Sequence, residues 1–249
     1  MRRAPLICAV LAACLPAAAA ARALPGAAAA GVRLTACVPA LEQHERTATF
    51  EARVRQARGG ERIQVRFTLQ QREPASRDWH RILAEGLDEW QTSEAGVSRY
   101  SYAKTVQNLS APAVYRVVVR FRWLDAGGTV LARARATSRG CRQPDMRPDL
   151  AATLIEPLPP AGDEPGGYAV ILVNRGRSDA GAFAVGLRVG GTELEPQAQA
   201  GLAAGEIRML RFGGPPCAPA AALTATVDPG LAIDERDEDD NVLVAACPA

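Results

Sequence analysis

The chain has 249 residues, 48% of them apolar and 22% charged, with a formal net charge of +2. That length admits about two domains, and the balance is that of a packed, soluble protein. After the first 30 residues no stretch is long and apolar enough to span a bilayer as a helix, which excludes an integral helical membrane protein.

The N-terminus reads as an export leader. Arg2 and Arg3 give a positive start, Leu6 to Leu15 a short apolar core, and Ala21-Arg22-Ala23 a small-residue cleavage site. Residues 1–30 are therefore expected to be a cleaved signal peptide, and an apolar core this short argues against a signal anchor. Leu11-Ala12-Ala13-Cys14 resembles a bacterial lipobox. The residues after Cys14 continue the leader pattern, so a lipid anchor there is the minority alternative.

Cysteine usage agrees with export. Cys8 and Cys14 belong to the leader, leaving Cys37, Cys141, Cys217 and Cys247. Four cysteines allow three pairings. The spacing favours Cys37–Cys141 and Cys217–Cys247, each bond then bracketing one apparent domain. No C-x-x-C pair occurs and histidine is nearly absent, which disfavours a zinc site.

Residues 33–143 are predicted to be all-β. Ala48, Phe50, Ala52 and Val54 alternate with polar residues, as do Ile63, Val65, Phe67 and Leu69, and Tyr115 through Trp123. A period of two sets one face of each strand against a core and the other in water. Asp125-Ala126-Gly127-Gly128 joins two long strands as a hairpin. About seven strands and no helix are expected, an immunoglobulin- or fibronectin-like sandwich with Cys37 ahead of its first strand and Cys141 after its last. Trp79, Trp90 and Trp123 are assigned to core or loop packing, with sugar stacking as the alternative.

Residues 144–148 carry two prolines and read as a semi-stiff linker. Residues 149–249 again read as about seven short strands. Asn174-Arg175-Gly176 is a turn in which Asn and Gly can take positive φ, and Gly190-Gly191 is a hairpin signal. Near the end, a strand over Leu223 to Val227 enters an Asp228-Pro229-Gly230 turn, then an acidic loop from Asp234 to Asn241, then the apolar Val242 to Val244.

Pro148-Asp149-Leu150, Val173 to Gly176, Phe183 to Leu187, Leu202 to Glu206, Val227-Asp228-Pro229 and the Glu235/Glu238/Asn241 loop, in that order, resemble the CARDB module, the cell-adhesion-related domain found in bacteria. Asp240 stands where that family commonly has a first Asn. The resemblance implies a second immunoglobulin-like sandwich, of a kind found in secreted and surface proteins and often accessory to other domains. It carries no catalytic residues. The expected architecture is thus two tandem immunoglobulin-like β-sandwiches after a signal peptide.

Two clusters offer binding chemistry. Residues 33–147 hold 20 basic and 12 acidic residues, and residues 148–249 hold 6 and 15, for net charges of +8 and −9. Arg116, Arg120 and Arg122 share one strand face, and Arg133 and Arg135 share a face of the next. If those strands pair, the five form a basic plate suited to polyanions, against the alternative of an ordinary solvent face. In the acidic loop, Asp237, Asp239 and Asn241 offer hard oxygens to Ca²⁺. The competing reading is a solvated turn bonding its own backbone. His44 and His80 lie in polar, loop-like sequence, and no nucleophile elbow, metalloprotease helix or phosphate loop is present. The expectation is a non-enzymatic, secreted, periplasmic or surface protein in binding, adhesion or accessory work. Its partner would be an envelope protein or glycan rather than nucleic acid. A polyanion- or carbohydrate-binding accessory protein is the alternative, and a secreted hydrolase the remote one.

Overall fold

The computed structural model describes residues 30–160 and 166–248. The predicted leader lies outside them, Cys14 included, except for Ala30, which opens the first strand opposite Val54. No helix among the described residues is long and apolar enough to cross a membrane.

The first half contains β1 (Ala30–Val38), β2 (Thr47–Arg55), β3 (Arg62–Arg72), β4 (His80–Ile82), β5 (Gln91–Thr92), β6 (Arg99–Val106), β7 (Ala113–Leu124), β8 (Val130–Thr137) and β9 (Cys141–Gln143). They form two antiparallel sheets, β1-β2-β6 and β4-β3-β7-β8, with β5 also on β3 and β9 also on β7. The inward residues predicted from alternation are the ones buried. Ala48, Phe50, Ala52, Ile63 and Val65 are 0% exposed, and they pack against Val117, Val119, Phe121 and Trp123 of β7. Helical structure is confined to one 3₁₀ turn, Gln43–Glu45.

Cys37 does not precede the first strand. It sits on β1, which pairs with β2 through Cys37↔Ala48. Val32, Leu34, Ala36 and Val38 alternate in the sequence, but a register shift between Leu34 and Ala36 turns Cys37 inward and leaves Ala36 and Val38 exposed. Cys141 lies on β9, so its bond to Cys37 (Cα–Cα 5.4 Å) joins a strand of one sheet to a strand of the other.

The second half contains β10 (Leu150–Leu158), β11 (Gly167–Asn174), β12 (Phe183–Val189), β13 (Thr192–Glu193), β14 (Gln197–Gln199), β15 (Ile207–Gly213), β16 (Ala222–Val227) and β17 (Val242–Ala246). Sheets β10-β11-β15 and β13-β12-β16-β17, with β14 on β12, enclose Leu150, Val170, Leu172, Val185, Leu187, Leu223 and Ala225. Cys217 and Cys247 are bonded, Cα–Cα 5.7 Å.

The 174–176 turn differs from expectation. Neither Asn174 nor Gly176 has positive φ. Asn174 closes β11 with its side chain inward, and a Cβ on Gly176 would lie 2.5 Å from Pro148 Cα. The glycine serves the close approach of the linker. Gly190, by contrast, does take φ +58° in its hairpin.

Candidate functional site

β7 pairs with β3 along its whole length and with β8 along its second half. Its even-numbered residues face away from the core. The register therefore sets Arg66, Arg120 and Arg135 in one row across three strands, and Gln64, Arg122 and Arg133 in the next. Arg120, Arg122, Arg133 and Arg135 of the predicted plate meet in these rows with Arg66 of β3, whereas Arg116 lies further along β7 beyond Val118, opposite Gln70. Arg120, Arg133 and Arg135 are exposed. Among the described residues, no carboxylate forms an ion pair with Arg66, Arg116, Arg120, Arg122, Arg133 or Arg135.

Two tryptophans lie on this face. β4 and β5 both pair with β3, and each is immediately preceded by a tryptophan. Trp90 takes the guanidiniums of Arg122 and Arg66 at 4.0 and 5.0 Å from its ring centre. Trp79 takes Arg116 and Arg72 at 3.8 and 5.1 Å. Only Trp123 belongs to the core, 2% exposed with its indole N–H donating to Arg55 O at 2.8 Å. Trp79 and Trp90, half-buried, pack from loops onto the arginine face. Each stacked guanidinium contributes about 0.5–2 kcal/mol, and Gln70 and Gln64 accept from Arg116 Nε and Arg122 Nε. These contacts hold some arginines flat while Arg120, Arg133 and Arg135 project. Burial, then the positive charges of Arg135 and Arg72, push Arg116 below the usual guanidinium range. Around Trp90 the arginines line an open cleft of about 500 Å³.

The acidic loop has another geometry. Asp234 accepts from Arg147 at 2.7 Å, Asp240 from Arg175 at 2.8 Å, and Asp149 from Arg236. Arg236 N–H donates to Pro148 O at 2.8 Å. Glu235 is 1% exposed and accepts from Leu150 N–H and from Asn241 Nδ2. Burial, reinforced by Glu238 and Asp228, pushes its carboxyl up to about 7 despite those two donors. The loop is a clamp that fastens the linker and the start of β10 to the end of the chain. Of the three predicted Ca²⁺ ligands, Asp237 and Asp239 are exposed, with Asp239 N–H donating to Asp237 Oδ1 at 3.1 Å. Asn241 is buried and turns its amide donor to Glu235 and Glu238. Its Oδ1, with Asp149 Oδ1 and Asp240 Oδ1, is buried without a partner.

Sequence reasoning reached the five plate arginines but not Arg66, Arg72, Trp79 or Trp90 as their companions. Arg66 was legible, since it alternates with Val65 and Phe67. The tryptophans had no local signal, because short strands carry them across the sheet.

No curated protein matches this chain. Among solved structures it is similar to a domain of a Methanosarcina acetivorans protein named for the cell surface: 26% identity, 42% of this chain and 94% of that one, TM-score 0.37. It is similar to the CARDB domain of a Pyrococcus furiosus protein, solved in complex with di-metal ions: 25% identity, 39% and 84% coverage, TM-score 0.33. A class 5 fimbriae chaperone matches over 87% of this chain and 97% of its own at 11% identity, TM-score 0.27. The family model CARDB matches residues 147–245. The C-terminal half of the chain, from the linker through β17, is a CARDB module.

Proposed function

We propose that this protein is an exported, non-enzymatic binding protein of the cell envelope that holds an anionic polymer on the arginine face of its first sandwich. The CARDB module serves as the accessory domain behind it. The carrying observation is the row structure itself: Arg66, Arg120 and Arg135, then Arg122 and Arg133, on adjoining strands with no carboxylate paired to them among the described residues. An ordinary solvent face mixes signs to offset repulsion, whereas this one concentrates positive charge and spends two indole rings on ordering it. Two disulfides fit an oxidising compartment. The test is retention on immobilised heparin. Wild type elutes only at raised salt, and Arg120→Glu with Arg133→Glu elutes in the wash while keeping its melting temperature. Unchanged retention of that double variant would overturn the assignment.

A second reading, Ca²⁺ at the acidic clamp, is favoured by the three partnerless buried oxygens of Asp149, Asp240 and Asn241. They are hard donors, as Ca²⁺ requires. No three His, Cys, Asp or Glu side chains group around a metal position among the described residues. A cation there would therefore draw on the Asn241 amide and on backbone carbonyls besides Asp149 and Asp240.

A further inference from the structure

The charged face continues past Trp90 toward the CARDB module. The outward residues of β7, read back from Arg122, are Arg120, Val118, Arg116 and Val114. Eight residues of strand cover about 27 Å. Toward the far end, Arg116 and Arg72 lie against Trp79. At the far end Val114 is flanked by Arg72 on β3 and Arg142 on β9. Between the two groups of arginines the row Thr68, Val118 and Thr137 is uncharged, Val118 is only 4% exposed, and the Asp88 carboxylate that bonds Thr68 there is paired with Arg81.

Beyond Val114 lies a cleft of about 660 Å³ between the two domains. Arg72 and Arg142 line it from the first sandwich, and Arg177 lines it from the CARDB module. Two further arginines in its wall are already committed, Arg147 to Asp145 and Asp234, and Arg236 to Asp149. Asp145 is the one carboxylate in the wall, and Arg147 neutralises it with a two-pronged contact. Three guanidiniums, Arg72, Arg142 and Arg177, therefore face the cleft without an anionic partner among the described residues.

We infer that this cleft is a second anchor for the same ligand, an extended acidic polysaccharide that runs along β7 from the Trp90 ledge to the joint and is gripped there by both domains. The inference rests on the anion-binding reading of the plate and gives it a length and a direction. A polysaccharide fits better than a single-stranded nucleic acid. Single strands are held on aromatic rings open to stacked bases, whereas Trp79 and Trp90 lie against guanidiniums. What the track offers is spaced positive charge, suited to sulfate, carboxylate or phosphate groups repeated along a stiff chain.

The experiment is calorimetric titration of the mature protein with size-defined heparin oligosaccharides. Affinity should rise with length until the oligosaccharide spans about 27 Å and then level. Arg142→Ala with Arg177→Ala should weaken the longest oligosaccharide by about tenfold and leave the shortest unchanged. Arg142→Ala alone, an exposed position on β9, should give an intermediate loss and guards against misfolding of the double variant. A length dependence that levels at the shortest oligosaccharide would overturn the second anchor, as would a double variant equal to wild type, with the plate reading left standing. Absence of binding at every length would overturn both. Single-stranded DNA of equal charge binding more tightly than any oligosaccharide would overturn the polysaccharide assignment.

Discussion

Replacing Asn174 by alanine should cost the CARDB module a large part of its stability. Asn174 is 0% exposed, and its amide makes four bonds. Nδ2 donates to Ser178 O at 2.9 Å and to Leu202 O at 3.0 Å. Oδ1 accepts from Gly176 N–H at 2.9 Å and from Asp149 N–H at 3.2 Å. The four partners come from the linker junction, the 174–178 turn and the loop before β15, which meet at one end of the β10-β11-β15 sheet. At about 1 kcal/mol net for each bond, truncation should cost about 4 kcal/mol, since the backbone groups left behind are screened from water. A domain of this size has only about 5–15 kcal/mol in total. All three tryptophans, Trp79, Trp90 and Trp123, lie in the first sandwich. Urea titration followed by tryptophan fluorescence therefore reports that domain, and far-ultraviolet circular dichroism reports both. The variant should shift the dichroism transition that fluorescence does not see. Asn174→Asp should be at least as damaging, because a carboxylate would replace the donor that serves two carbonyls. A loss below about 1 kcal/mol in Asn174→Ala would refute the view that this amide holds the junction.

Glu235 gives a pH test. Its folded carboxyl, at about 7, lies above its ordinary value of 4.5, so the folded state holds the proton more tightly than the unfolded one. Its contribution is therefore most favourable below about 4.5 and is lost as pH rises through about 7. The melting temperature of wild type relative to Glu235→Gln should fall across that window, and a flat difference from pH 4 to 8 would refute it. For Ca²⁺, a hundredfold excess over Kd should stabilise the protein by about 2.7 kcal/mol. Differential scanning calorimetry with and without the ion reads this, and an unchanged transition would remove the metal reading. The heparin column and the oligosaccharide series above complete the set.

Alternation alone was enough to place β2, β3 and β7, because each buries one face against the opposite sheet and leaves the other in water. The arginine rows followed from the same alternation once β7 and β8 were paired through the Asp125 to Gly128 turn. The physics that escaped the sequence is of three kinds. β1 keeps its alternation through Val38 in the sequence, but its bulge at Leu34/Ala36 turns Cys37 inward and leaves Val38 exposed, which no local pattern reports. Trp79 and Trp90 are placed by pairings of β4 and β5 with a distant strand, a non-local choice. Asn174 and Gly176 read as turn formers because their residue types favour positive φ. The structure uses them for buried hydrogen bonding and for close chain approach. The acidic loop invited a metal reading for a similar reason. Its composition is visible in the sequence, but its commitment to Arg147, Arg175 and Leu150 is long-range.

The two disulfides also set how the molecule answers a pull. Tension entering near Cys37 crosses directly to Cys141 through one covalent bond, so the 104-residue span between them is shielded from stretching. The second bond shields only the 30-residue span from Cys217 to Cys247. Between the bridges, residues 142–216 stay in the line of force. They include β10, β11 and β15, a complete sheet that carries no covalent tie of its own. Under load the first sandwich can swing but not unravel, while the CARDB module pays out chain from that sheet. The first sandwich would keep its shape while the C-terminal one lengthens.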